Sequence, residues 1–196
     1  MQPFFTFMRE LKLTSAIPPS VNHYLAYRAV VRDGRATAMS YCTQEASKYK
    51  KEFAQYVGQE VIRQGYNLKP DPMRHFYVDC DFYFPRLNMD ANNYYKCLLD
   101  AITDTKLIWL DDNVVCERTN SIRYDTTNPR VEIYIHPVDY IGVFDSASHL
   151  EEFESRCIGC VRHARNCSLL DGAIHGRVNE LVHDGICDGF KKKKKE

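Results

Sequence analysis

MDANNYYKCLLDAITDTKLIWLDDNVV, from Met89 to Val115, encodes a helix whose two faces differ in kind. At about 100° per residue, Asn92, Asn93, Lys96 and Asp100 fall within a wedge of about 100°, and Ala91, Tyr95, Leu98, Leu99 and Ile102 fall in a second, separate wedge. The second wedge is core; the first can look into a cleft. Asp90 stands at the N-cap position, where its carboxylate can accept from free backbone N–H groups. An acidic pair, Asp111 and Asp112, follows the helix. The same residues fit two roles. Oxygen donors beside a lysine make a divalent-metal site of the kind phosphodiester chemistry requires. A capping Asp and an i,i+4 Lys96–Asp100 pair on a solvated helix need no chemistry at all.

Upstream, Leu11 to Ile17 has the pattern of a strand ended by Pro18-Pro19. Tyr27–Val31 and Ala36–Tyr41 suit a hairpin around Asp33-Gly34. That arm carries Arg28, Arg32 and Arg35, which fit either a DNA backbone or plain solvation. Thr43 is placed to cap a long helix running to about Gln64, with Ala46, Tyr49, Phe53, Val57 and Val61 as its apolar stripe. His75 to Phe84 alternates and is rich in aromatics, as a strand prefers. It delivers Pro85-Arg86 and then Asp90. Downstream, Val114–Tyr124 and Arg130–His136 are expected as two strands joined at Asp125-Thr126-Thr127-Asn128 and paired as a hairpin. The element order predicts an α+β domain with a mixed sheet and helices packed on it.

Three ordered blocks of this sequence resemble the RusA family of Holliday-junction resolvases. The family pattern, Asp-x-Asp-Asn-x-x-Lys-x-x-x-Asp-Ala, is met by Asp90, Asn93, Lys96 and Asp100-Ala101. Trp109-Leu110-Asp111-Asp112 matches its second acidic element. Ile17-Pro18-Pro19-Ser20-Val21-Asn22 resembles the Pro-Pro-Ser-x-Asn after the family's first strand, and Pro129-Arg130-Val131-Glu132-Ile133 its last strand. The resemblance implies a Mg²⁺-dependent (or Mn²⁺-dependent) endonuclease acting on branched DNA, working as a homodimer that matches the two-fold symmetry of a four-way junction. It implies Asp90, Lys96 and Asp112 as catalytic residues. Asp90 and Asp112 would hold the metal, with Asn92 and Asp111 as auxiliary ligands. Asp100 would position Lys96, and Asn93 would support the Asp90 loop. Asn22 in the Pro-Pro-Ser-x-Asn block, Arg86 by its place before Asp90, and Arg28 and Arg35 by their place on the arm are the expected DNA contacts.

One departure falls on the chemistry. Position 92 is Asn where the family pattern has a second Asp, and a carboxamide oxygen ligates Mg²⁺ without bringing charge. The chain therefore fits a subfamily relying on Asp90, Asp111 and Asp112, a protein that binds junctions without cutting, or an inactivated form.

The bulk numbers set bounds. The chain has 196 residues, 44% hydrophobic and 27% charged, which suits a soluble globular domain plus an extension. Its formal net charge is zero, whereas nucleic-acid binders are often basic. Local field, not the sum, governs such contacts. No apolar run approaches the ~20 residues of a membrane span. The start lacks a basic n-region and a cleavage pattern, so a cytoplasmic protein is expected.

Eight cysteines are present. Cys42, Cys80, Cys97 and Cys116 are scattered and suit small buried hydrophobes. Residues 1–137 are assigned to the RusA-like domain, 138–148 to a linker, 149–190 to a cysteine-rich helical extension and 191–196 to a lysine-rich tail. In the extension, Cys157 and Cys160 form a Cys-x-x-Cys, and Cys167 and Cys187 follow after six and nineteen intervening residues. A structural Zn²⁺ on Cys157, Cys160 and Cys167 is expected, with Cys187, His163 or His149 as fourth ligand. An iron–sulfur cluster is the rival for the same thiolates. Leu170, Ile174, Val178 and Leu181 predict a helix from Ser168. A helix of ~15 residues would span 20 Å or more, so Cys187 meets the other cysteines only if the helix is shorter or the chain folds back.

Overall fold

The computed structural model describes residues 10–72, 74–138, 140–176, 181–183 and 185–193. It divides the chain into two compact units, Met1–Pro72 with Phe76–Pro137, and Met73–His75 with Val138–Glu196.

The first unit is built on a four-stranded mixed sheet. Its elements are β1 (Leu11–Ser15), α1 (Val21–Tyr24), β2 (Leu25–Arg32), β3 (Arg35–Cys42), α2 (Gln44–Arg63), β4 (Phe76–Phe84), α3 (Asn92–Thr103), β5 (Val115–Tyr124) and β6 (Arg130–Pro137). The sheet order is β1-β6-β4-β5, with β4 and β5 parallel and the other pairs antiparallel. The α+β class expected from the element order is the one observed.

The pairing of the last two strands differs from expectation. β5 and β6 do not form a hairpin; β4 lies between them. Burial explains the choice. On β6, Val131, Ile133 and Ile135 are fully buried, so this strand gains from neighbours on both sides. β5 is exposed over most of its length and suits an edge. The turn after β5 passes over the end of β4. There Asp125 N–H donates to the Phe84 carbonyl, and the Asp125 carboxylate accepts from Thr127, Asn128 and Arg130.

β4 alternates strictly, and Phe76, Val78, Cys80, Phe82 and Phe84 form the floor of the core. Phe53 and Val57 of α2 and Leu98 and Ile102 of α3 pack in the same cluster. Thr43 caps α2 as expected, its hydroxyl accepting from Ala46 N–H at 3.2 Å. The β2–β3 hairpin forms a separate two-stranded sheet, largely exposed on both faces. Asp33 and Gly34 both have positive φ, +51° and +75°, as a two-residue hairpin turn requires.

The loop after α3 is anchored by Trp109. Its ring is fully buried against Phe76, with centroids 5.6 Å apart, and its indole N–H donates to Thr103 Oγ1 at 2.7 Å. The acidic pair Asp111-Asp112 follows after Leu110, and Asp112 opens a single 3₁₀ turn (Asp112–Val114).

The second unit contains α4 (Ala147–Cys157), α5 (Ser168–Ile174) and a small hairpin, β7 (Val182–His183) with β8 (Ile186–Cys187). Its buried apolar cluster is short: Phe144, Phe153 and Ala173, with Leu150, Leu170, Ile174 and others half-buried around them. The stretch 138–148, expected as a linker, supplies Phe144 to this cluster. Gly142 (φ +58°) sits so close to the end of α5 that a Cβ there would lie 2.1 Å from the Ala173 carbonyl oxygen. α5 ends at Ile174 rather than continuing through Leu181, and Val178 lies outside the described residues. Gly176, with φ +71°, follows this end, and the chain returns through β7 and β8. Lys191, at the head of the lysine run, bonds through its carbonyl to Val161 N–H at 2.8 Å; Lys193 N–H donates to the Gly159 carbonyl at 2.9 Å.

Trp109→Ala removes a fully buried indole and the anchor of the acidic loop. It is expected to destabilise the first unit by about 3–5 kcal/mol, read from urea unfolding followed by circular dichroism.

Candidate functional site

The site is built where α1, α3 and the loop after Trp109 meet. Asp90 precedes α3, and its Oδ1 accepts from Asn92 N–H at 3.0 Å. The helix proper starts one residue later than a simple cap would place it, with Ala91 already helical in backbone angles. Asp90 and Asn92 are exposed and Asn93 is half-buried. Arg86, exposed before Asp90, acts with it on the Tyr94 hydroxyl: burial and the Asp90 charge push that hydroxyl's pKa up, and the Arg86 charge opposes them. Asn92, Asn93, Lys96 and Asp100 share the outward face of α3, while Tyr95, Cys97, Leu98, Leu99, Ala101 and Ile102 are buried.

One turn into the helix, Lys96 Nζ donates to Asp100 Oδ1 at 2.8 Å and stands 3.8 Å from Asp112 Oδ2. The hydrogen bond to Asp100 is the main cause that raises the Lys96 pKa; the charges of Asp100, Asp112 and Asp111 add to it, against a partial loss of hydration. Asp100 is mostly buried, at 17% side-chain exposure, so its carboxylate needs partners. The second partner is Tyr24. Its hydroxyl donates to Asp100 Oδ2 while its ring is buried with Ala46 and Cys97. Burial, then the bond to Asp100, raises the Tyr24 pKa.

Tyr24 is the residue that sequence reasoning missed. It lies two residues after Asn22, at the end of a helix of only four residues, too short for any periodicity to mark it. Asn22 itself is exposed on α1. Asp111 Oδ1 accepts from Asn113 N–H at 3.0 Å, which fixes the acidic loop.

The structure therefore brings Lys96, Asp100, Asp111 and Asp112 together and adds Tyr24. Asp90 and Asn92 occupy the start of the same helix. Arg28 and Arg35 lie apart on the β2–β3 hairpin, where Arg28 sits over the Tyr41 ring at 5.8 Å. Among the described residues, no hydrogen bond or ion pair joins them to the acids.

The donors around Lys96 and at the head of α3 are all oxygens, which suits a hard cation such as Mg²⁺ or Mn²⁺. Among the described residues, no three His, Cys, Asp or Glu side chains are grouped closely enough to hold a metal ion by themselves. Mg²⁺ asks for less. It is commonly held by one or two carboxylates, with waters and substrate phosphates completing the shell. In the second unit, Cys157, Cys160, Cys167 and Cys187 line one cavity with His163, whereas His149 lines a different one. None of the eight cysteines, all among the described residues, is in a disulfide.

A mixed sheet backed by helices thus carries a held lysine set among carboxylates on its crossover helix. Residues 17–136, more than half of the chain, match the family model of Endodeoxyribonuclease RusA, and the chain belongs to the RusA family. No curated protein matches the chain. No helix among the described residues is long and apolar enough to cross a membrane.

The Lys96–Asp100 pair has a definite pH signature. A raised lysine pKa means that the pair's contribution is complete below the unfolded-lysine value of about 10.4 and fades as pH rises through the folded value. Asp100→Asn is expected to lower the titration midpoint of the Lys96 ammonium, measured by NMR of its Cε and Nζ resonances.

Proposed function

We propose that this protein is a divalent-metal-dependent endonuclease of the cytoplasm that resolves four-way DNA junctions by hydrolysing phosphodiesters in opposing strands. The observation that carries the proposal is Lys96, fixed by Asp100 and set 3.8 Å from Asp112, in a chain of the RusA family. Asp90 and Asp112 would hold the cation, with Asn92 and Asp111 as auxiliary oxygen donors. When bound, Mg²⁺ supplies charge neutralisation at the scissile phosphate and lowers the pKa of the attacking water.

The chain's own residues do the rest. Lys96 stays protonated through the neutral range and offers its ammonium to the phosphate oxygens as charge builds in the transition state. Asp100 aims Lys96, and Tyr24 holds Asp100 in place by donating to its other oxygen. Asn93 supports the turn at Asp90. Asn22, Arg86 and the arginines of the β2–β3 hairpin meet the DNA backbone, whose contacts position the substrate without reading its sequence. A homodimer would present two such sites to the two-fold symmetric junction.

Incubation of a synthetic four-way junction with Mg²⁺ or Mn²⁺, beside a linear duplex of the same sequence, tests this directly. Paired symmetric nicks in the junction alone are expected; equal nicking of the duplex, or no junction binding, would sink the proposal. Lys96→Ala is expected to slow cleavage by roughly 10²–10³-fold, the usual cost of removing one transition-state donor.

Asn92 favours a second reading, a protein that binds junctions without cutting, because one family carboxylate is replaced by a neutral carboxamide. Binding without nicks in the native chain, with cleavage gained in Asn92→Asp, would establish it. Under either reading, replacing Arg28 and Arg35 together by Ala should weaken junction binding and flatten the slope of log Kd against log salt by about two, as measured by fluorescence anisotropy across a salt series.

A further inference from the structure

The second unit holds a cluster of nucleophilic side chains that the nuclease reading does not use. Three separate segments converge on it. Cys157 ends α4 and Cys160 follows in a tight turn, its N–H donating to the Cys157 carbonyl at 2.8 Å. Cys167 precedes α5, and Cys187 closes the β7–β8 hairpin. Because α5 stops at Ile174 and the chain returns, Cys187 reaches the same cavity as the other three. The volume of that cavity, about 20 Å³, is that of a single water-sized guest.

From this convergence, we propose that Cys157, Cys160, Cys167 and Cys187 bind one structural Zn²⁺ per chain. Four observations support the assignment. The Cys160 sulfur accepts from the Lys191 N–H at 3.4 Å, and the N–H groups of Arg162 and His163 also face it, so three backbone donors surround this sulfur. Cys157 lies near enough to Cys187, Cys167 and Cys160 to feel their charges.

The unit is also short of other sources of stability. It has roughly sixty residues, a size at which disulfides or metals usually supplement the core. Its buried apolar cluster rests on Phe144, Phe153 and Ala173, and its cysteines are unpaired. Finally, the backbone is drawn tight beside the cavity: a Cβ on Gly189 would lie 2.5 Å from Leu169 and 3.6 Å from the Cys187 sulfur. The four thiols ring the cavity without being closed on one point. Each Sγ turns about a single torsion, χ1, so changes of rotamer are the means by which the four would close on an ion. Four sulfur donors select Zn²⁺ over the hard cation expected in the first unit.

The test is metal analysis of the full-length protein, purified without added metal or chelator. One equivalent of zinc per chain is expected, together with the red-region absorption of a tetrahedral thiolate site after replacement by Co²⁺. Cys160→Ser and Cys187→Ser should each lose the retained zinc on dialysis, and Cys116→Ser should keep it. Absence of zinc with no uptake of Co²⁺ would overturn the proposal. So would iron with acid-labile sulfide in its place, or zinc retained in both Cys160→Ser and Cys187→Ser. The wild-type stoichiometry and the cobalt spectrum need no variant, so a variant that fails to fold leaves the test intact.

Discussion

A single mostly buried carboxylate organises the candidate site. Asp100 lies where water cannot fully solvate it, and an unpartnered charge there would be costly. It is satisfied from two directions: Tyr24 from α1 and Lys96 from its own helix. The first contact ties the segment after the first strand to the crossover helix, across 76 positions of sequence. The second fixes a lysine that would otherwise sweep through solvent, and holds its charge beside Asp112. Removing the carboxylate would therefore loosen α1, free Lys96 and alter the field at the acidic loop together.

The fold was legible wherever local pattern and burial agree. The strict alternation of β4, the cap at Thr43, the Asp33-Gly34 turn and the two-faced α3 could each be read from neighbouring residues. The β5–β6 pairing could not. A short turn between two strands ordinarily signals a hairpin, but here the deciding quantity was how much apolar surface each strand must bury. Val131, Ile133 and Ile135 call for an interior position that β5 has no need of. The end of α5 was missed for a related reason: Leu170 and Ile174 satisfy a helical period, but Gly176 takes a left-handed conformation and the chain turns back.

The site was legible to a similar extent. Lys96, Asp100 and Asp112 share a helix face or follow it closely, so spacing alone could place them near one another. Tyr24 could not be found that way. Its contact with Asp100 depends on how α1 packs against α3, and nothing in the residues around it announces a hydrogen bond to so distant a partner. The hairpin that carries Arg28 and Arg35 could be read from its Asp33-Gly34 turn, but its separation from the acidic residues is a property of the tertiary arrangement.

The position of β1 has a consequence for how the chain is assembled. Leu11 pairs with Ile135, and Ser15 with Val131, so β1 finds its partner only after β6, the last strand of the unit, has been made. Until then β4 also lacks a neighbour on its β6 side, and the aromatic floor of Phe76, Phe82 and Phe84 has an open flank. Contacts of such sequence separation are slow to form, because loop-closure entropy is spent before they give any return. The α2 helix, the β2–β3 arm and the β4–α3–β5 crossover are more local and can form earlier. The nascent chain thus waits on β6 as a keystone, and exposed apolar strand edges during that interval are the stage at which aggregation competes with folding.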